Sequence, residues 1–217
     1  MAIRKRTAII GIIIAAVIIP IAAYTISPLF LSKTVDEPLP FNEVSNSGSK
    51  NASNSFERFM TMTEEERYAS GQKMSASQKE MIMRDAALAQ NATVNEAMTE
   101  AMSGTQATVA LSGVFVGVND GIHNAEGNAK VIQPSSGGGP ILRLEDFKST
   151  NGPDLYVYLS TDKSATDFVS LGRLKGNIGN QNYEIPDGTD LSKYDNVLVW
   201  CKAFSVLFGD AELKPSN

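Results

Sequence analysis

The chain holds one cysteine and one histidine, and that scarcity already narrows its chemistry. Cys201 lies in the run Val199-Trp200-Cys201-Lys202-Ala203-Phe204, and His123 lies in Gly121-Ile122-His123-Asn124-Ala125-Glu126-Gly127. A thiolate is a nucleophile, a redox group and a soft metal ligand. A neutral imidazole offers a nitrogen to a metal or a proton. Together they cannot supply a four-ligand zinc site, a four-thiolate iron–sulfur cluster or an intramolecular disulfide. A blue-copper centre needs two His and one Cys, so one chain cannot complete it. The sequence also lacks C-x-x-C-H for covalent haem, the phosphate-binding G-x-x-x-x-G-K-[ST] and the G-x-S-x-G nucleophile elbow. With no complete catalytic constellation, the chain reads as something other than a stand-alone enzyme.

Each remaining candidate has two readings. Cys201 is either a buried thiol acting as a small hydrophobe, the common fate of a lone cysteine, or a redox thiol or ligand. His123 is either a solvated turn residue or a ligand or proton carrier, and its spacing does not pair it with Cys201. Met60 and Met62, like Met81 and Met83, form Met-x-Met steps that can offer two thioethers to Cu(I), against the alternative that methionine fills a loose helix face. Asn51-Ala52-Ser53 and Asn91-Ala92-Thr93 are acceptor tripeptides for N-glycosylation.

The elements that position these groups follow from composition and period. The 217 residues carry a net charge of −5, with Lys and Arg scattered through the C-terminal half, so no basic stripe exists to bind nucleic acid. Arg4, Lys5 and Arg6 precede an uncharged apolar run from Thr7 to Ile26. About 20 helical residues span roughly 30 Å, the thickness of a bilayer's hydrocarbon core. Basic flanks stay cytoplasmic, which predicts a cytoplasmic N-terminus over residues 1–6, a single-pass anchor over 7–26 and an extracytoplasmic remainder at the cell membrane. A cleaved signal peptide is the alternative, but its apolar region is usually only about 7–15 residues long. In either case an unpaired thiol meets an oxidising compartment, where it is buried or used.

Residues 27–55 contain prolines followed by Asn, Ser and Gly, and read as an extended linker. Residues 56–103 are rich in Met, Ala, Glu, Lys and Gln and predict a partly helical spacer. Thr63 and Glu66 have the spacing of a capping box, Gly71 weakens any helix there, and one or two modest helices are expected from Ser77 towards Met102. Residues 104–217 change to β-branched and aromatic runs separated by Gly, Asn, Asp and Pro. Strands are expected at Thr108–Val118, Asn128–Gln133, Ile141–Phe147, Leu155–Ser160, Gln181–Ile185 and Val197–Phe208. The fold class is mainly β: an antiparallel, sandwich-like domain preceded by a transmembrane helix and a partly helical linker.

Several ordered blocks in this half carry a likeness. They run from Gly113-Val114-Phe115, through His123 with Gly127, Leu142-Arg143-Leu144-Glu145-Asp146-Phe147 and Pro153-Asp154-Leu155-Tyr156-Val157-Tyr158, to Val199-Trp200-Cys201-Lys202-Ala203-Phe204 and Phe208-Gly209-Asp210-Ala211-Glu212-Leu213. Over about Gly104 to Leu213 the chain resembles the electron-transfer DM-thirteen domain family. The resemblance implies an exported β-rich module acting in redox processes. Its characteristic cysteine corresponds to Cys201 and its histidine-to-glycine step to His123 and Gly127. It further implies Cys201 as redox thiol or as ligand to haem or a metal, with His123 as a second ligand. Three functions follow in order: a membrane-anchored redox or cofactor-binding module working with a redox partner; a non-catalytic interaction domain or accessory subunit of an envelope protein complex; and copper handling by the methionines.

Overall fold

The computed structural model describes residues 53–98, 108–134 and 138–216. The run 7–26 and Asn51 lie outside them, and among the described residues no helix is long and apolar enough to cross a membrane.

Three short helices come first: α1 (Ser53–Met60), α2 (Glu64–Lys73) and α3 (Ala76–Ala87). Helix α1 begins within the last residues of the expected linker. The capping box at the start of α2 is formed, with the Glu66 carboxylate accepting the Thr63 backbone N–H at 2.8 Å. A second box, which sequence reading missed, links Ser75 and Gln78 at the start of α3. Each box satisfies two amides that the first helical turn would otherwise leave free. Helix α3 stops at Ala87, well short of Met102. Beyond it the chain extends, with Thr93 bridging Ile178 in parallel and Val94 and Glu96 donating backbone N–H groups to Ile178 and Asn180. β-Branched Thr93 and Val94 favour that extended path, and the Asn95 side chain accepts from the Asn180 amide.

The β domain is two five-stranded sheets. One has the order β10-β1-β3-β4-β7, built from Lys214–Pro215, Thr108–Val114, Ala125–Gln133, Ile141–Ser149 and Ile178–Glu184. The other has the order β2-β9-β8-β5-β6, built from Val116–Gly117, Val206–Glu212, Asn196–Cys201, Leu155–Ser160 and Phe168–Arg173. Every pair within the sheets is antiparallel, as expected for a sandwich. Leu142 and Leu144 from the first sheet and Val157, Leu159, Val197, Val199 and Cys201 from the second are fully buried. The opposite face of β5 carries Tyr156 and Tyr158, covered with Leu198 by Trp200, Leu207 and Ala165.

Three strand expectations are corrected. The run Thr108–Val118 is two strands in different sheets, broken at Phe115, whose ring is buried edge-on against Phe147 at 5.3 Å. The run Val197–Phe208 is a hairpin, with β8 and β9 joined by residues 202–205. Its turn has neither Gly nor Pro to announce it and instead places Ser205 at φ +56, where serine is uncommon. Strand β6 went unread because it is a half-exposed edge whose apolar alternation is limited to Val169 and Leu171 before Gly172.

Candidate functional site at the Cys201 hairpin

Cys201 ends β8, opposite Leu155 of β5 and Val206 of β9. The turn that follows carries Ala203 and Phe204, whose backbone amides, with that of Asp154, act against the rise in the thiol's pKa. The thiol has no exposed surface. Burial pushes it up to about 12, the Asp154 carboxylate adds to the rise, and the three amides oppose it only in part.

A shell of charge surrounds this end of the sheet. Asp154 is fully buried, and its Oδ1 accepts from both Arg67 Nε and Arg173 Nη1 at 3.0 Å. Its Oδ2 is buried without a hydrogen-bond partner among the described residues. Arg67, itself buried, is held at its other end by the Met62 carbonyl at 2.6 Å. Glu64 pairs with Lys202, which holds its carboxyl below the usual range, with Tyr156 contributing next. Lys202 and Arg173 both lie over the Tyr156 ring, at 5.2 and 5.5 Å. Burial and then Glu64 raise the Tyr156 hydroxyl to about 12, although the two groups do not reach the geometry of a formed hydrogen bond.

His123 occupies a separate place. It lies in the loop from β2 to β3, where Asp120 Oδ1 accepts the amides of Ile122 and His123 at 2.9 and 2.7 Å, and Oδ2 meets His123 Nδ1 at 2.6 Å. Burial works against the Asp120 carboxylate, but these hydrogen bonds outweigh it and bring it down to about 2. The imidazole is 13% exposed and stands edge-on to Phe208 at 4.8 Å; its Nε2 is buried with no partner among the described residues. Phe208 is two residues along β9 from Val206, a step of about 7 Å. Among the described residues no hydrogen bond, ion pair or ring contact joins His123 to Cys201. Gly127 sits at a bulge in β3 with φ +118, and a Cβ there would meet the backbone of Asp146 and Phe147, so its pairing with His123 in sequence reflects local geometry.

The remaining candidates stay apart. Met60 and Met81 are exposed, Met62, beyond the end of α1, is half-buried, and Met83 is in the core, on a different face of α3 from Met81 because residues two apart on a helix do not face each other. No group of three or more His, Cys, Asp and Glu side chains is placed to hold a metal ion among the described residues. The Asn91 side-chain oxygen accepts from Asn177 Nδ2 at 2.8 Å, in the extended segment beside β7. A haem does not fit Cys201 in this conformation: axial ligation needs an accessible thiolate, and this sulfur is covered and protonated.

Residues 116–213 match the family model described as Electron transfer DM13. No curated protein and no solved structure matches the chain. The matched region starts at β2 and ends just beyond β9, so it contains Cys201, His123, Asp154, Tyr156, Arg173 and Lys202. Helices α1–α3 lie outside it, and with them Phe59, Glu64, Arg67 and Gln72. Sequence reading found Cys201 and His123 but missed Asp120, Asp154 and Arg67. Of these, only the Asp-x-x-His spacing of Asp120 and His123 carried a local signal.

Proposed function

We propose that the chain is a membrane-anchored, extracytoplasmic redox module in which Cys201 is the working thiol. One observation carries this reading: the chain's single thiol lies inside the electron-transfer DM13 match. Export is supported by the 7–26 run and its basic flank.

With one cysteine, the two-electron route runs through a partner. The Cys201 thiolate attacks a disulfide sulfur of the partner, a new S–S bond forms as the partner's breaks, and the departing partner thiolate takes up the proton that Cys201 released. A second partner thiol then resolves the mixed disulfide. The test is to quench intact membranes with acid and a thiol-blocking reagent, then separate the proteins without reductant. The expected result is a higher-mass species that reductant collapses and that Cys201→Ser abolishes. A chain that stays entirely monomeric and reduced under an applied disulfide stress would sink the reading.

A second reading, an interaction domain within an envelope complex, is favoured by the β2 edge of the sheet. Val114, Val116 and Val118 are 66%, 63% and 44% exposed at alternate positions, and β2 is the edge of its sheet. An extended partner strand could add to such an edge. Retention of a stoichiometric partner by Cys201→Ser, and its loss on Val116→Lys, would favour this reading over the redox one.

A further inference from the structure

Beyond α3 the chain lies along β7, the edge of its sheet. Every pair within the two sheets is antiparallel, but this segment runs parallel to β7, with Thr93 bridging Ile178. Val94 and Glu96 donate backbone N–H groups to Ile178 and Asn180, and the Ala92 carbonyl accepts from the Ile178 amide. The edge is shaped for this contact. A Cβ at Gly176 would overlap the Ala92 carbonyl, and one at Gly179, at φ +107, would overlap the Val94 carbonyl. Two polar side chains only 5% exposed also meet the segment: Asn177 Oδ1 accepts the Ala92 amide at 2.7 Å, and Arg143 Nη1 donates to the Glu96 carbonyl at 3.1 Å. The Glu96 carboxylate accepts the Asn182 amide at 2.7 Å and Lys175 Nζ at 2.8 Å.

We propose that the β7 edge is a strand-receiving groove for an extended acidic peptide of a partner protein, and that residues 91–97 occupy it in cis. This stands apart from both functional readings above, since neither Cys201 nor the β2 edge takes part.

Three features make the segment an occupant rather than part of the core. None of residues 91–97 is buried: Val94 and Glu96 are half-buried and the others exposed, so main-chain hydrogen bonds and one carboxylate hold it. The receiving residues, Arg143 and those from Lys175 to Asn182, lie inside the DM13 match, whereas the segment lies outside it. An emptied groove also strands no buried charge. Arg143 keeps Glu145 at 2.9 Å and Asn182 Oδ1 at 2.8 Å, while Lys175, 40% exposed, turns to water. Main-chain pairing along an edge accepts many extended sequences, and side-chain pockets supply the selection. Here the selecting contact is the carboxylate of Glu96 between Lys175 and the Asn182 amide, two residues after a β-branched Val94. A tethered segment competes at an effective concentration on the order of millimolar, so a partner strand enters when the cis segment is weakened or its own contacts are stronger.

The test uses the full chain in detergent and a fluorescein-labelled synthetic peptide of residues 88–98, with binding read from anisotropy. Val94→Pro removes the N–H that pairs with Ile178, and Glu96→Ala removes the carboxylate, so each loosens the cis segment and leaves the groove intact. Both variants should half-saturate at a peptide concentration at least about tenfold below that of the unaltered chain. A peptide that itself carries Glu96→Ala should bind the Val94→Pro chain at least about tenfold more weakly, because it lacks the charge-assisted contacts. Adding Gly176→Ala to the Glu96→Ala chain should remove binding, which locates the peptide in the groove. Equal half-saturation in the unaltered chain and both variants would overturn the proposal, as would binding indifferent to Gly176→Ala or to the peptide's carboxylate. Loss of the native Trp200 fluorescence in both loosened variants would overturn it too, since the segment would then be part of the core.

Discussion

The Cys201 end and the His123 loop are built on opposite principles. At His123 the decisive contact spans three residues, and one carboxylate gathers two amides and the imidazole of its own turn. At Cys201 the contacts span 87 residues from Arg67 to Asp154 and 138 from Glu64 to Lys202. A site assembled by such long separations exists only when several elements are docked together, and it can be dismantled by releasing one of them. A site assembled within one turn persists as long as its own loop does. The difference makes the turn after Cys201 depend on distant elements and the His123 loop on its own residues, and it sets what each perturbation should do.

The largest effect is expected at Asp154. Asp154→Ala leaves Arg67, 7% exposed, without its buried carboxylate, and breaking one partner of a buried pair typically costs about 3–5 kcal/mol. Arg173, 45% exposed, turns to water and adds little. The loss should appear as faster hydrogen exchange in α2, well beyond any change in the strands. A loss below about 1 kcal/mol would mean that the ion pair is a bystander and that the thiol end is held by packing alone.

A milder change sharpens the same contrast. Thr63→Ala removes the side chain that accepts the Glu66 amide, and an N-cap of this kind is worth about 1 kcal/mol. Because α2 carries three of the contacts to the turn after Cys201 and to Asp154, the cost should fall on the helices: exchange across residues 64–73 should quicken several-fold while the strands keep their protection. Uniform loss of protection across helices and sheets would show that the two parts unfold together.

That division also explains what the sequence disclosed. The Thr63 and Glu66 capping box was legible because it spans three residues and its chemistry is entirely local. Strand Leu155–Ser160 was legible because a central strand buried on both faces writes an unbroken apolar run. The same signal misled at Val197–Phe208, where two buried strands adjoin a turn made from Lys202, Ala203, Phe204 and Ser205, none of which announces a reversal. Gly71 read as a helix weakness, and its reason lies in Ala203, far away in the chain. Cys201 could be singled out by its scarcity, but Arg67 and Asp154 gave no sign of each other, since nothing in either neighbourhood encodes a contact that only the folded sheet creates.

The smallest effect is expected at the local site. Asp120 is held at about 2 in the fold against 3.8 in an unfolded chain, so the folded state keeps its carboxylate charged to lower pH. Its contribution to stability is therefore present above about pH 4 and is lost as pH falls through 2. The side chain is 44% exposed, so water screens much of the interaction and the change in the acid limb should be modest. Asp120→Asn should flatten the stability profile between about pH 4 and 2, and leave both the alkylation rate of Cys201 and the exchange of α2 as they are. If the thiol instead became reactive in Asp120→Asn, the two sites would be coupled through Phe208, and the division between a thiol turn held by distant elements and a self-contained histidine loop would fail.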